Sequence, residues 1–332
     1  MPKLNVVITD YVEQDLKWEE EQFKGLGVDF AYGQLKLGSP AQILNLAKDA
    51  DIVIVNMAKM NADVIAGLQR CKLIIRHGVG YDNVDVAAVT RRNIAFSYVP
   101  DYCMEEVAEQ AVMLIFACQR KLLLQNRLLQ KSAAEGKWVF DPIYPVYRLS
   151  GKTLGIVGFG RIGAAVWRMM QGFKMRVLVS DPYLSDARKK EYGIESLPLD
   201  HVLKESDIVT VHTPLTQETH HLIDEAQLKL MKPSAILVNT ARGGIVNLQA
   251  LDKALRERWI AHAGIDVYEK EPPDPDLALL HNERAICTPH LSWLSEEAGW
   301  SIREKIVEDV RRYIRDEDPR YQVNPEVKIR FD

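Results

Sequence analysis

Three polar residues each close an apolar, strand-like run in the C-terminal half of the chain. Arg242 follows Ala235–Ala241, Glu271 follows Gly264–Lys270, and His290 follows Ile286–Pro289. Alternating α/β folds carry their chemistry on the loops that follow strands. A guanidinium grips a carboxylate through two parallel hydrogen bonds and polarises a neighbouring carbonyl. An imidazole exchanges a proton near neutral pH, and a carboxylate beside it orients the ring and favours its protonated form. The three together are what a nicotinamide needs to interconvert a 2-hydroxy acid and a 2-oxo acid. Taken singly, Arg242 reads equally as a helix cap, Glu271 as a solvated loop acid and His290 as a satisfied structural histidine; spacing alone does not choose.

A second pattern decides more. The run Leu154–Val157 leads into Gly158-Phe-Gly160-Arg161-Ile162-Gly163, and a helix of small residues follows. This is G-x-G-x-x-G between strand and helix: Gly158 for the tight turn, Gly160 for close approach of backbone to a pyrophosphate, Gly163 for helix-on-strand packing. The helix N-terminus offers the phosphates N–H groups and a positive dipole end. The next strand ends in Asp181, 18 residues beyond Gly163, near the spacing of about 20 at which an acid reads the ribose hydroxyls. A carboxylate there repels a 2′-phosphate, and Pro182-Tyr183-Leu184 brings no cation to attract one. The expected cofactor is NAD rather than NADP.

Strand and helix signals alternate along the whole chain. Short β-branched runs at Leu4–Ile8, Ile52–Val55, Leu73–Ile75 and Ile94–Phe96 are separated by helix starts such as Ser39-Pro40 and Asn61, residues suited to N-cap and first-turn positions. A second series reads Leu154–Val157, Arg176–Val179, Ile208–Val211, Ile236–Val238, Gly264–Val267 and Ala285–Cys287. Such alternation predicts parallel sheets covered by helices on both faces. Between the series, Val107, Ala111, Leu114, Ile115, Cys118 and Leu122 keep helical spacing, which predicts one long helix over about Met104–Lys131. An amphipathic helix after Trp293 has no strands of its own to cover, so it is expected to dock on the first series and make that domain discontinuous.

Composition sets the outer limits. The 332 residues carry a net charge of −4 with 47% hydrophobic and 27% charged residues, a globular balance of one or two domains. A pI near 6.1 provides no basic field for nucleic acid. Cys71, Cys103, Cys118 and Cys287 are scattered, which argues against zinc and disulfides and for a reducing, cytoplasmic setting. Val107–Leu124, the most apolar helix-length stretch, is interrupted by charges, so no membrane span is expected. At the N-terminus the apolar run before Asp10 is short and reads as a strand, not a signal peptide.

GFGRIG, TARGGIVN, GIDVYEKEP and TPHLSW together resemble the NAD-dependent D-isomer-specific 2-hydroxyacid dehydrogenases. HGVGYDNVD (77–85) and VPDYCMEEVAEQA (99–111) resemble that family's N-terminal and hinge signatures, so the likeness spans nearly the whole chain. The resemblance implies a fold of two doubly wound parallel-sheet domains, a Rossmann cofactor domain (102–291) inserted into a flavodoxin-like substrate domain (1–101 and 292–332). It implies that Arg242 binds the substrate carboxylate, that Glu271 partners the acid/base His290, and that Val79 and Gly80 present backbone N–H groups to substrate. It also implies Arg161, Ile162 and Thr213 along the cofactor, Thr240 and Ala241 beside the nicotinamide, and Asp266 at its carboxamide. A homodimer through the cofactor domain is implied as well, with 104–131 and 140–148 at its interface; an internal core helix and a loop are the alternative.

His290-Leu-Ser-Trp293-Leu-Ser-Glu-Glu is more similar to the C-terminal-binding-protein-like branch of the family than to its phosphoglycerate dehydrogenases. Trp293 then either walls the substrate pocket or packs in a core, and Arg76 and His77 are the cations a phosphorylated substrate would want. Two classes of function stand: an oxidoreductase acting on a small 2-oxo or 2-hydroxy acid, phosphoglycerate dehydrogenase included, or an NAD-gated, co-repressor-like binding protein with a vestigial site. The absence of a long polar tail favours the enzyme.

Overall fold

The computed structural model describes residues 3–328. The chain divides into two compact units, Met1–Cys103 with Leu294–Asp332, and Met104–Trp293. Both junctions fall two residues later than those expected from the motifs.

In the first unit, β1 (Asn5–Ile8), β2 (Asp29–Tyr32), β3 (Ile52–Val55), β4 (Leu73–Arg76) and β5 (Ala95–Tyr98) form one parallel sheet in the order β2-β1-β3-β4-β5. That is the flavodoxin-like order. The central strand β3 is buried at every position (Ile-Val-Ile-Val), as a strand covered on both faces must be. Ser39 caps the helix Pro40–Ala47 in a reciprocal box with Gln42, and Asn61 accepts from the Val64 N–H at the start of Ala62–Gly67. β2 carries no strand signal in the sequence, for a physical reason. It is an edge strand, half exposed, whose Asp29-Phe-Ala-Tyr32 offers neither an apolar run nor clean alternation. The terminal helix Glu296–Ile314 belongs to this unit: Ile302, Ile306, Val307, Val310 and Tyr313 share one core with Val6, Ile8, Ile52 and Ile54. Arg303 on that helix forms two 2.6 Å hydrogen bonds with Glu19, a carboxylate removed from solvent.

The second unit holds β6 (Thr153–Val157), β7 (Arg176–Ser180), β8 (Ile208–Val211), β9 (Ile236–Asn239), β10 (His262–Ile265) and β11 (Ala285–Cys287). They form a parallel sheet in the order β11-β10-β9-β8-β6-β7. Outside β7, a single bridge between Val179 and Ser196 stands where a further strand would lie. With it the sheet has the doubly wound Rossmann order, and the order reverses between β6 and β8. Ligands of such sheets bind outside the carboxyl ends of the strands at that reversal.

Two expectations are corrected here. The strand expected at Gly264–Val267 is His262–Ile265, which leaves Asp266 and Val267 beyond the sheet. The single helix expected over Met104–Lys131 is two, Met104–Gln119 and Leu122–Ala134. The break is Lys121, whose φ of +53° is left-handed and cannot continue a helix. Its N–H closes a tight turn onto Cys118 O and its Nζ donates to Ile143 O at 2.9 Å. Apolar spacing does not register a change of backbone hand. The first of the two helices buries Ala111, Leu114, Ile115 and Cys118, and Gly264 in β10 makes room for it: a Cβ there would lie 2.9 Å from the Leu114 Cβ. The second leaves Leu122, Leu123 and Leu129 about half exposed. All four cysteines are free thiols, and burial pushes Cys71 and Cys118 up to about 12, far from a reactive thiolate. Among the described residues no helix is long and apolar enough to cross a membrane.

Candidate active site

The glycine turn sits at the carboxyl end of β6, where the second unit's strand order reverses. Gly158 has φ +89°, and a Cβ on it would come within 2.8 Å of His212 and Thr213 backbone atoms. A Cβ on Gly163 would lie 2.3 Å from Gly158 O, so the helix Arg161–Met170 can press on the turn only with glycine there. Gly160 is different: a Cβ would meet nothing within 4 Å. Its lack of a side chain clears space outside the turn, and no side chain caps the helix that begins after it. Arg161 is exposed and Ile162 half-buried along the first turn.

Asp181, at the end of β7, is fixed on both oxygens. Oδ2 accepts from the Phe159 N–H at 2.8 Å and Oδ1 from the Tyr183 N–H at 2.9 Å. Its own N–H donates to Ser196 Oγ at 2.9 Å, so the vestigial outer strand positions the acid. One neighbour was not foreseen. Arg188, on the helix Asp186–Tyr192, returns to the turn and donates from Nη2 to Gly160 O at 3.1 Å, with its guanidinium near the Phe159 and Tyr192 rings. Pro182-Tyr183-Leu184 carry no cation; this one stands a helical turn further along the chain.

Arg242, Glu271 and His290 follow β9, β10 and β11, three adjacent strands. Glu271 Oε2 lies 2.7 Å from His290 Nδ1, and Glu271 Oε1 accepts from the Tyr268 N–H at 3.1 Å. Burial alone would raise the Glu271 carboxyl; its bond to His290, the Tyr268 N–H and the Arg242 charge outweigh that and hold it below its ordinary 4.5. An ionised Glu271 can only accept, so Nδ1 of His290 carries the proton and Nε2 is left to exchange one. The Arg242 loop is drawn to the Glu271 loop by Gly243, where a Cβ would fall 1.9 Å from the Tyr268 carbonyl carbon. Buried Asn239 shapes the intervening turn, accepting from the Ala241 N–H and donating to Arg242 O.

His290 itself has φ +54°, a conformation that costs a side-chain-bearing residue of order 1 kcal/mol and persists only where the surroundings impose it. Asp266 imposes it. The His290 N–H donates to Asp266 O at 2.8 Å, and the fully buried carboxylate accepts from Thr288 Oγ1, the Leu291 N–H, the Ser292 N–H and Ser292 Oγ. These four bonds fill the roughly four lone-pair sites of a carboxylate, and a cofactor carboxamide reaching Asp266 would have to share them. Trp293, next in the chain, is half-buried.

Three buried polar atoms around the crevice lack protein partners: Thr213 Oγ1, Thr240 Oγ1 and His212 Nδ1. Burial pushes His212 down to about 3, so the ring is neutral. In the first unit, Val79 and Gly80 lie on the loop after β4. Arg76 and His77, which precede them, are 6% and 5% exposed; Arg76 donates from Nη1 to His77 O and is packed beneath Gly78.

A family model described as the NAD binding domain of D-isomer specific 2-hydroxyacid dehydrogenases matches residues 112–292. The chain belongs to that family. The dehydrogenase is 41% identical over 293 residues to a glyoxylate reductase of Korarchaeum cryptofilum, covering 87% of each chain. It is 38% identical over 268 residues to a D-3-phosphoglycerate dehydrogenase of Archaeoglobus fulgidus, covering 81% of this chain and 50% of that one. Among solved structures, D-lactate dehydrogenase of Aquifex aeolicus, complexed with NAD and lactic acid, superposes with a TM-score of 0.83 at 29% identity, covering 94% and 96% of the two chains. The dehydrogenase is an oxidoreductase, and its cofactor is a nicotinamide dinucleotide. The crevice residues fit that cofactor: an open space at Gly160 for a pyrophosphate, an uncapped helix N-terminus, a fixed carboxylate at Asp181, and unpartnered hydroxyls at Thr213 and Thr240.

Proposed function

We propose that the dehydrogenase reduces a small, unphosphorylated 2-oxo acid of the glyoxylate class to its D-2-hydroxy acid, with NADH preferred over NADPH. The observation that carries this reading is the 2.7 Å pair of His290 Nδ1 and Glu271 Oε2, with Arg242 close enough for its charge to act on Glu271. The nicotinamide supplies a hydride to C2 of the oxo acid. Arg242 holds the substrate carboxylate and polarises the adjacent carbonyl. His290 delivers a proton from Nε2 to the carbonyl oxygen while Glu271 steadies the ring and the charge on it. Backbone N–H groups of Val79 and Gly80 are assigned to the substrate carboxylate, and Trp293 to limiting the substrate's side chain. On the cofactor, Arg161, Ile162 and the glycines take the pyrophosphate, Asp181 the adenosine ribose, Thr213 and Thr240-Ala241 the nicotinamide half. Asp266 acts chiefly by building the His290 turn.

Glyoxylate enters from the named activity of the Korarchaeum relative. A phosphorylated substrate, suggested by the Archaeoglobus relative, is disfavoured because Arg76 and His77 are buried and Arg76 is engaged with backbone. The test is an NADH-oxidation screen over glyoxylate, pyruvate, hydroxypyruvate, branched and thioether 2-oxo acids, and 3-phosphohydroxypyruvate. Highest kcat/KM on glyoxylate or hydroxypyruvate is expected. Preference for the phosphorylated acid overturns the substrate class, and flat activity throughout returns the NAD-gated binding protein. Equal efficiency with NADPH overturns the role of Asp181, to which Arg188 would then be the counterweight.

The second unit is proposed to pair with its copy in a homodimer. Leu122, Leu129, Trp138, Phe140 and Tyr144 are each at least half exposed within 23 residues, more apolar surface than a lone soluble segment ordinarily shows.

A further inference from the structure

The dinucleotide crevice of a doubly wound sheet opens at the carboxyl end of its first strand, where the strand order reverses, and the loops leaving the two strands beside that one stand on either side of it. Here those strands are β7 and β8, one on each side of β6. Tyr183 is on the loop after β7, Glu218 on the loop after β8, and the Tyr183 hydroxyl donates to Glu218 Oε2 at 2.5 Å. The bond therefore passes from one lip of the crevice to the other, over the carboxyl end of β6 and its glycine turn. Both side chains are exposed, Tyr183 by 77%, so no packing requirement explains why they meet.

Each end of the bond stands on a stiff turn. The Tyr183 N–H is held by Asp181 Oδ1, the carboxylate assigned to the adenosine ribose, and the Leu184 N–H by Asp181 O. On the other lip, the Thr216 N–H donates to Thr219 Oγ1, whose hydroxyl donates to Pro214 O, and the His220 N–H closes the turn onto Thr216 O. The backbones of the two lips are set, so the bond can open only by rotation of the phenol or the carboxylate side chain. The hydrogen bond to Glu218 raises the Tyr183 hydroxyl above its ordinary 10 and so keeps it protonated as the donor.

We propose that Tyr183 and Glu218 form a strap across the adenosine end of the cofactor crevice, opened by side-chain rotation to admit or release the dinucleotide and reclosed behind it. Both are positioning residues: they set how fast the cofactor exchanges and, through the Tyr183 N–H, steady Asp181. Neither touches the reacting atoms. A strap that is closed before and after binding slows entry and exit alike.

Stopped-flow NADH fluorescence on the full chain separates the alternatives without turnover. Tyr183→Phe, which removes only the hydroxyl from an exposed ring, is expected to raise kon and koff together by about fivefold, with Kd changed less than about twofold. Glu218→Ala is expected to match it, Glu218→Gln, which keeps an acceptor, to do less, and the double variant to do no more than either single one. The strap is overturned if Tyr183→Phe leaves both rates at the parent values, if koff alone rises (a contact to bound cofactor), or if the single effects add. It is overturned also if Glu218→Gln gains NADPH binding while NADH rates stay unchanged, which would make Glu218 a charge barrier. Loss of NADH binding in the unmodified chain would instead strike at the cofactor crevice itself.

Discussion

At His290 a left-handed backbone, a carboxylate on Nδ1 and an open Nε2 coincide on one residue. His290→Ala is expected to abolish turnover while NADH still quenches or enhances fluorescence on binding; retained turnover would remove His290 from the chemistry. Arg242→Ala is expected to lower kcat/KM by about 10²–10³, the scale of losing one preorganised electrostatic donor. Glu271 adds a dependence on acid. Its carboxyl is held below 4.5 in the folded chain, so its ionised form contributes stability fully above pH 4.5, and that contribution disappears as pH falls through the lowered value. Thermal unfolding between about pH 6 and about pH 3 is expected to show Tm falling more steeply for the parent than for Glu271→Gln. His212, buried and neutral, also opposes the folded state as pH falls below 6.5, but equally in both proteins. Parallel curves would mean that Glu271 gains nothing from its partners.

The glycines of the turn after β6 differ at the scale of the element, although one motif names them all. A Cβ on Gly163 collides with backbone, whereas one on Gly160 meets open space. Gly163→Ala is expected to lower Tm, since overpacking costs about 1–3 kcal/mol. Gly160→Ala is expected to leave Tm unchanged and weaken NADH binding more than tenfold, roughly the 1.4 kcal/mol or more of a displaced phosphate contact; calorimetry and a binding titration read the two apart. The strand-turn-helix register of this motif and the strand-ending positions of Arg242, Glu271 and His290 were legible because periodicity and glycine chemistry are local. What was not legible depends on distant backbone. Examples are the left-handed break at Lys121, the edge strand β2 with no apolar run, Arg188 folding back from the following helix, and the bonds by which Asp266 braces the loop that carries His290.

Across the whole molecule, one chain builds two parallel sheets and returns its last helix to the first of them. The Arg303–Glu19 pair ties that helix in, with Glu19 fully buried. Arg303→Ala is expected to destabilise the first unit by about 3–5 kcal/mol, because it strands a buried charge, and Arg303→Ala with Glu19→Gln is expected to recover part of the loss. For assembly, sedimentation velocity is expected to give a dimer for the parent and a monomer for Leu122→Glu with Leu129→Glu. A monomeric parent would refute the pairing.

Asp266 gathers the main-chain amides of His290, Leu291 and Ser292 onto one residue, through its carbonyl and both carboxylate oxygens. Surface loops ordinarily trade their amide protons for deuterium within seconds, but these three cannot do so singly. They open only when the whole brace lets go, so deuterium uptake at 290–292 should lag far behind the neighbouring loops and proceed as one event. Asp266→Ala, which removes both side-chain acceptors and leaves only the carbonyl that holds His290, should speed uptake at Leu291 and Ser292 first.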